Sequence, residues 1–280
     1  MEKAPEYCIL CGARDREALI KMDSWNVYKC SSCGLGFLDP RPTEEDIAEL
    51  YSKEYCEKYF IEGGKPNSAE FKKRLSLETH RIRFFKGIKG KGRVLDIGCG
   101  YGYFLAACRN HGYDVQGLDI SGWASQHATE KLDLPITLGL IDEVELPHQS
   151  FDIITMWHFL EHTPNPRKAI LKARDWLKND GVLIIDVPNY EGTDARKNWK
   201  EWVGWSVPYH LYHFTPQTLK QLLLVCGFHV VKTKNYHSDT VKKSLKRIPL
   251  VSIFARLISR MFSGHSIAVV AKRGDLNNSV

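Results

Sequence analysis

The sequence predicts an α/β fold, a mainly parallel β-sheet with helices on both faces, preceded by a small N-terminal metal-binding ribbon. Three observations predict it. From Arg93 onward, short runs rich in Val, Ile and Leu alternate with segments of helical period, the pattern of parallel strands joined by crossover helices. One of those runs, Val94-Leu95-Asp96-Ile97, leads straight into a glycine-rich turn that opens a helix. Two C-x-x-C pairs, Cys8/Cys11 and Cys30/Cys33, fall close together near the start of the chain.

Composition bounds the class. The chain has 280 residues, 43% of them apolar and 26% charged, which excludes disordered and low-complexity chains and leaves room for a sizeable core. The apolar stretch 250–262 is interrupted by Arg256 and Arg260, too short and too charged for a transmembrane span. Residues 1–6 do not read as a secretory leader, so a cytoplasmic protein with reduced thiols is expected. A net charge of +6 hints at an anionic partner without demanding nucleic acid.

The elements follow in order. Each C-x-x-C pair is followed by a glycine, Gly12 and Gly34, which allows the tight turn that brings both sulfurs to one side of a metal. With Asn26-Val27-Tyr28-Lys29 as a short strand, residues 1–42 read as a zinc ribbon whose Cys8, Cys11, Cys30 and Cys33 hold a structural Zn2+. Four thiolates leave no open position for catalysis. Thr43-Glu44-Glu45-Asp46 reads as a capping box opening a helix, Gly63-Gly64-Lys65-Pro66-Asn67 as a break, and 68–86 as a second helix; residues 43–90 form a helical linker or cap. Ten Lys/Arg against two acids (Glu70, Glu78) between Gly63 and Arg93 mark either a solvated face or an attractor for an anionic substrate. Strands are expected at 94–97, 115–119, 151–156, 182–186, 230–232 and 267–271, and helices at 103–111, 167–178 and 216–226, all within a domain spanning 91–280.

The turn after the first of these strands is informative. Gly98, Gly100 and Gly102 do not make G-x-G-x-x-G, because position 103 is tyrosine, and an acid before the glycines, Asp96, suits a cationic ligand better than a phosphate. Leu95-Asp96-Ile97-Gly98-Cys99-Gly100 resembles the first motif of the class I S-adenosylmethionine-dependent methyltransferases. Asp119, ending the second strand, resembles the acid that holds both ribose hydroxyls, and Asp142 the acid beside the adenine. Phe151-Asp152-Ile153-Ile154 resembles the fourth strand. Trp157-His158-Phe159-Leu160-Glu161-His162-Thr163-Pro164 resembles the loop beneath the methionine moiety, and 177–184 the turn into the fifth strand. The resemblance implies a Rossmann-like seven-stranded methyltransferase sheet, S-adenosylmethionine as cofactor, and Asp96, Gly98, Gly100, Gly102, Asp119, Asp142, Trp157 and His158 as its contacts. Read by residue type alone, Trp157 and His158 suit core packing equally well, and Glu161 and His162 suit helix caps.

Methyl transfer is an in-line displacement, so placement of the acceptor dominates and a general base helps when the nucleophile is a hydroxyl or an acidic C–H. The insertion 189–214 carries Trp199, Trp202, Trp205, Tyr209, His210, Tyr212 and His213, a density that suits the wall of a cleft around a ring-shaped acceptor. His210 and His213 are the candidate bases, or else braces of that loop. The whole pattern is similar to methyltransferases with an N-terminal zinc ribbon, some of which act on nucleotide-linked or polysaccharide sugars. It therefore implies a small-molecule acceptor, polar or anionic, such as a sugar or a nucleotide- or lipid-linked sugar. An RNA methyltransferase and an inactive binding protein of the same fold are the alternatives; no Asn-Pro-Pro-Tyr-like tetrad supports nucleic acid. A second insertion, 238–264, places Lys242, Lys243, Lys246 and Arg247 before an apolar helical pattern, suited to cover the cleft, to meet a membrane surface or to pack on a second subunit.

Overall fold

The computed structural model describes residues 1–22, 24–59, 64 and 66–274. Within the expected break at 63–67, Gly63 and Lys65 lie outside the described residues.

The N-terminal unit comprises β1 (Arg16–Met22), β2 (Trp25–Cys30) and β3 (Gly36–Leu38), an antiparallel meander with Cys8 and Cys11 in the turn before it and Cys30 and Cys33 at its β2–β3 turn. Helices α1 (Glu44–Leu50), α2 (Lys53–Tyr59) and α3 (Ala69–Phe85) follow. The capping box is present: Asp46 N–H donates to Thr43 Oγ1 at 3.2 Å, and the Asp46 carboxylate accepts from Thr43 N–H at 2.9 Å.

Alternation then sets in as expected: β4 (Arg93–Ile97), α4 (Tyr103–Asn110), β5 (Asp114–Asp119), α5 (Gly122–Leu132), β6 (Ile136–Leu138), β7 (Phe151–Trp157), α6 (Pro166–Trp176) and β8 (Leu177–Pro188). The chain continues through α7 (Thr193–Asn198), β9 (Tyr212–His213), α8 (Pro216–Val225), β10 (Phe228–His237), α9 (Asp239–Lys246), α10 (Ala255–Ser259) and β11 (Ser263–Arg273). The large sheet has seven strands in the order β10-β11-β8-β7-β4-β5-β6, with only β11 antiparallel to its neighbours. Its central strands are buried on both faces, which is why they read as continuous apolar runs rather than alternating ones.

Two features of the topology bear on function. The chain runs from β4 outward to β5 and β6, then returns to the other side of β4 as β7, leaving a crevice at the carboxyl ends of β4, β5 and β7. And the ribbon is not a free appendage, because its sheet has a fourth strand, β9, from the insertion after β8. Gly36 pairs with His213 and Phe37 with Tyr212, and Leu38 N–H donates to Leu211 O at 2.9 Å. Gly36 needs to be glycine for this approach, since a Cβ there would sit 2.8 Å from that of His213.

Candidate functional site

At the crevice the backbone turns sharply. Gly98, Gly100 and Gly102 all have left-handed φ (75°, 52° and 78°), which side chains with a Cβ rarely adopt. A Cβ on Gly98 would also meet the Phe159 ring at 2.8 Å, and one on Gly102 would meet Leu134 at 2.6 Å. The turn is pinned to the neighbouring strand: Gly98 N–H donates to Leu118 O at 2.8 Å, and Gly100 N–H to Asp119 Oδ2 at 2.7 Å. These glycines floor a cavity of about 390 Å3, within the range of small-ligand sites.

The expected cofactor residues fall as follows. Asp96, Gly98, Gly100, Gly102, Asp119, Trp157 and His158 all line this cavity. Asp119 accepts Gly100 N–H through one oxygen and Ser121 N–H through the other (2.8 Å), so each oxygen keeps lone-pair capacity for a ligand. Burial raises its carboxyl pKa, and the N–H groups of Ser121, Gly100 and Ile120 partly oppose that. Asp96 accepts from Thr155 Oγ1 at 2.6 Å, and burial pushes it up to about 7. Asp142 does not line the cavity, although its chain neighbours Leu140 and Ile141 do; it pairs with Lys168 at 3.3 Å. Its Oδ1 is buried without a hydrogen-bond partner, as is the indole Nε1 of Trp157.

The opposite wall was not anticipated. Arg74, Glu78 and Arg81 of α3 line the cavity, with Tyr51 and Tyr55 beside them. Glu78 is buried and takes both guanidiniums, that of Arg74 and, at 2.9 Å, that of Arg81, which also lies 5.0 Å over the Trp157 ring. Of the ten cations noted on this stretch, these two therefore face a site rather than solvent. Their i, i+4 and i, i+3 spacing from a lone acid was the available signal, and solvated helices show the same spacing.

His210 and His213, the candidate bases, do not line the cavity. His210 Nδ1 bonds Gly204 O at 2.8 Å, and burial together with the neighbouring His162 pushes its pKa down to about 3. His213 is also held well below the usual histidine value by burial and packs edge-on against Trp205 at 5.1 Å. The aromatic insertion is corrected likewise. Trp202 and Trp205 are buried on one another at 5.1 Å with Tyr190 alongside, so they form core rather than cleft wall. Three of the expected residues back onto the cavity lining: Tyr209 lies 4.9 Å from the Tyr55 ring at a tilt, His210 packs edge-on against His162 at 4.6 Å, and the Tyr212 hydroxyl donates to Pro164 O at 3.3 Å.

His158 and His162 line the cavity where His210 and His213 do not. His158 lines the cavity with a left-handed backbone, φ 53°, unusual for a residue with a Cβ. Its Nδ1 lies 3.2 Å from Glu161 Oε1, and Glu161 is fully buried with its other oxygen unpartnered. Burial alone would lower the His158 pKa, but the Glu161 hydrogen bond and the charges of Asp186 and Glu161 outweigh it and raise it. His162 Nδ1 bonds the Tyr51 hydroxyl at 2.7 Å and is pushed down to about 3 by burial and by His158. Glu161, His162 and His210 each offer a ligand atom within 4.8 Å of the others, a spacing that a cation could bridge.

The four N-terminal cysteines converge. Their sulfurs all lie within 4.8 Å of one another, with Cys8–Cys33 at 3.6 Å and Cys11–Cys30 at 3.5 Å. A tetrahedron with metal–sulfur arms of about 2.3 Å has edges of about 3.8 Å, so the set fits zinc. Burial would raise the Cys30 thiol, but the N–H groups of Cys33 and Ser32 aimed at its sulfur bring it down to about 7. No helix among the described residues is long and apolar enough to cross a membrane.

Comparison with known proteins adds family to geometry. The ubiquinone biosynthesis O-methyltransferase of Haemophilus ducreyi is 34% identical over 113 residues, 37% of this chain and 48% of that one. The chain thus spans about half the length of that relative. The protein of the same name from Histophilus somni is 28% identical over 192 residues, 59% of this chain and 80% of that one. A crystal structure of a SAM-dependent methyltransferase from Archaeoglobus fulgidus superposes with a TM-score of 0.55 at 24% identity, covering 71% of this chain and 94% of that one, a likeness of fold. A methyltransferase-domain family model matches residues 69–233, from α3 to β10 and more than half of the chain, which therefore belongs to the methyltransferase-domain family.

Proposed function

We propose that the protein transfers a methyl group from S-adenosylmethionine to a hydroxyl of a small-molecule acceptor. The observation that carries this reading is the cavity over the strand ends, floored by three left-handed glycines and edged by the buried Asp119 carboxylate. When bound, S-adenosylmethionine supplies a methyl carbon made electrophilic by a sulfonium.

The residues present suit such a ligand. Asp119 has the lone pairs to accept from a vicinal diol, and the bare backbone at Gly98 lets the Phe159 ring close in on the turn at the cavity wall. Arg81 and Arg74 offer guanidiniums to a carboxylate and Glu78 a carboxylate to an ammonium, the two ends of an amino-acid tail. Trp157 lines the cavity with the Arg81 guanidinium over its ring, and Asp142 stays outside the lining. Zinc on Cys8, Cys11, Cys30 and Cys33 is structural in this reading.

For the acceptor, Tyr51, Tyr55, Ile47 and Phe159 make an aromatic and apolar wall that fits a flat ring. The names of the relatives favour oxygen as the methylated atom. His158 is the base: it lines the cavity, and the buried Glu161 holds its Nδ1, leaving Nε2 to take the hydroxyl proton. His210 and His213 hold the wall behind it.

Transfer of labelled methyl from S-adenosylmethionine, screened against phenols, simple sugars and nucleotide sugars, tests the reaction and sorts the acceptor class. Against the best acceptor, His158→Asn is expected to lower kcat about a hundredfold with cofactor affinity unchanged. Because Glu161 raises the His158 pKa, Glu161→Gln should move the acid limb of the kcat profile to lower pH. Full activity in His158→Asn would remove the base assignment.

A further inference from the structure

The insertion between β10 and β11 has an anchored base and an exposed apolar tip. At the base, Asp194 of α7 accepts from the Ser238 hydroxyl and from the N–H groups of Asp239 and Thr240, both at 3.2 Å. Asn198 reaches Thr240 at 2.9 Å. Beyond this base the chemistry changes. Leu250 is 83% exposed, Ile253 79% and Met261 81%, with Phe254 and Leu257 more than half exposed between them. Side chains of this kind make up an apolar patch that a soluble surface does not ordinarily carry. Leu250 is the telling position. Its backbone is left-handed, φ 68°, where glycine or asparagine is the usual choice, so neither local conformation nor core packing calls for leucine there.

Charge identifies the partner. Residues 238–264 hold six cations and one acid, Asp239. Lys243, Lys246, Arg247, Arg256 and Arg260 are exposed, and none pairs with an acid among the described residues. A second copy docked through this face by two-fold symmetry would set these cations against themselves. An anionic lipid surface satisfies both halves of the pattern, taking the apolar tips below the headgroups and the cations at them. We infer that residues 242–262 dock the protein on an anionic bilayer surface as a peripheral, non-spanning contact.

The placement has a consequence for the site. β10 runs parallel to β8, both being antiparallel to β11, so the insertion leaves the sheet at the same carboxyl edge on which the cavity opens. Docking there would bring that edge of the enzyme to the bilayer.

Vesicle co-sedimentation of the full chain tests this without reference to methyl transfer. Phosphatidylcholine vesicles containing about 30% phosphatidylglycerol should bind the protein, with binding weakened by salt, and phosphatidylcholine alone should not. Leu250→Ser with Ile253→Ser, and separately Lys243→Glu with Lys246→Glu, should each lower the partition coefficient about tenfold at unchanged melting temperature. Ile253→Trp should shift its emission to the blue with anionic vesicles and be quenched by brominated acyl chains. Absence of anionic-vesicle binding, equal binding by the variants, or a wild-type dimer that the same substitutions dissociate while vesicles are ignored would each overturn the proposal.

Discussion

Asp119→Ala is expected to weaken S-adenosylmethionine binding by about a hundredfold or more, the largest single-residue effect on the cofactor side. The carboxylate does two things at once. It holds the glycine turn, through Gly100 N–H and Ser121 N–H, and it edges the cavity with the lone pairs that remain. Hydrogen bonds to a charged acceptor contribute about 1.5–3 kcal/mol each, so losing two from a diol exceeds a factor of one hundred. The same truncation leaves two N–H donors without their acceptor, at a cost of about 1–3 kcal/mol apiece where water cannot replace it. Calorimetric titration of the wild type, Asp119→Ala and Asp119→Asn, with melting curves on each, separates the two roles. Asp119→Asn keeps a carbonyl oxygen as acceptor and should lie between the others in affinity. Wild-type affinity in Asp119→Ala would dissolve the ribose assignment, whatever the melting curves did.

What was legible in the chain follows from how local the signal is. The floor of the cavity was readable because strand, turn and helix are consecutive: β4 must end at Ile97, the turn must hold left-handed backbone at 98, 100 and 102, and α4 must start at Tyr103. Asp119 was readable because β5 is short and ends at the acid. The α3 wall was not, since a buried Glu78 between two arginines has the same spelling as a salt-bridged face in water. Nor was β9. A two-residue strand has no periodicity, and its partner β3 lies far away in sequence, so nothing local announces the pairing. The aromatic insertion misled for a related reason. Residue type distinguishes neither a tryptophan that walls a cleft from one that fills a core, and Trp202 and Trp205 fill a core because they find one another. Similarly, β6 is three residues long, with a leucine exposed at its end, and carries too little pattern to stand out.

That unannounced strand connects the four-cysteine cluster to the loop of the proposed base. Stripping the metal from the four cysteines is expected to unfold the ribbon and lower turnover more than tenfold, while leaving S-adenosylmethionine affinity within about threefold. The ribbon has few buried apolar side chains of its own, Ile20, Val27, Leu35 and Leu38 among them, and a four-thiolate zinc contributes about 10–16 kcal/mol to small domains of this kind. Its loss frees β3, and with β3 the pairing of Gly36 and Phe37 to β9 and the bond from Tyr190 Oη–H to Gly34 O. The segment leading into β9 is in turn what grips the loop of the proposed base: Leu211 N–H and Tyr212 N–H both donate to Glu161 O, at 2.8 and 3.1 Å, and Glu161 orients His158. The glycine turn and Asp119 take their hydrogen bonds from one another, from the end of β5 and from Ser121, and none of these bonds runs to the ribbon. Chelation followed by metal analysis should first return about one zinc per chain. Hydrogen exchange on the chelated protein should then rise at 1–42 and at 209–214 together, with β4 and β5 still protected. Exchange confined to 1–42, or affinity and turnover falling in parallel, would show that the ribbon is only a neighbour of the site and not a support for it.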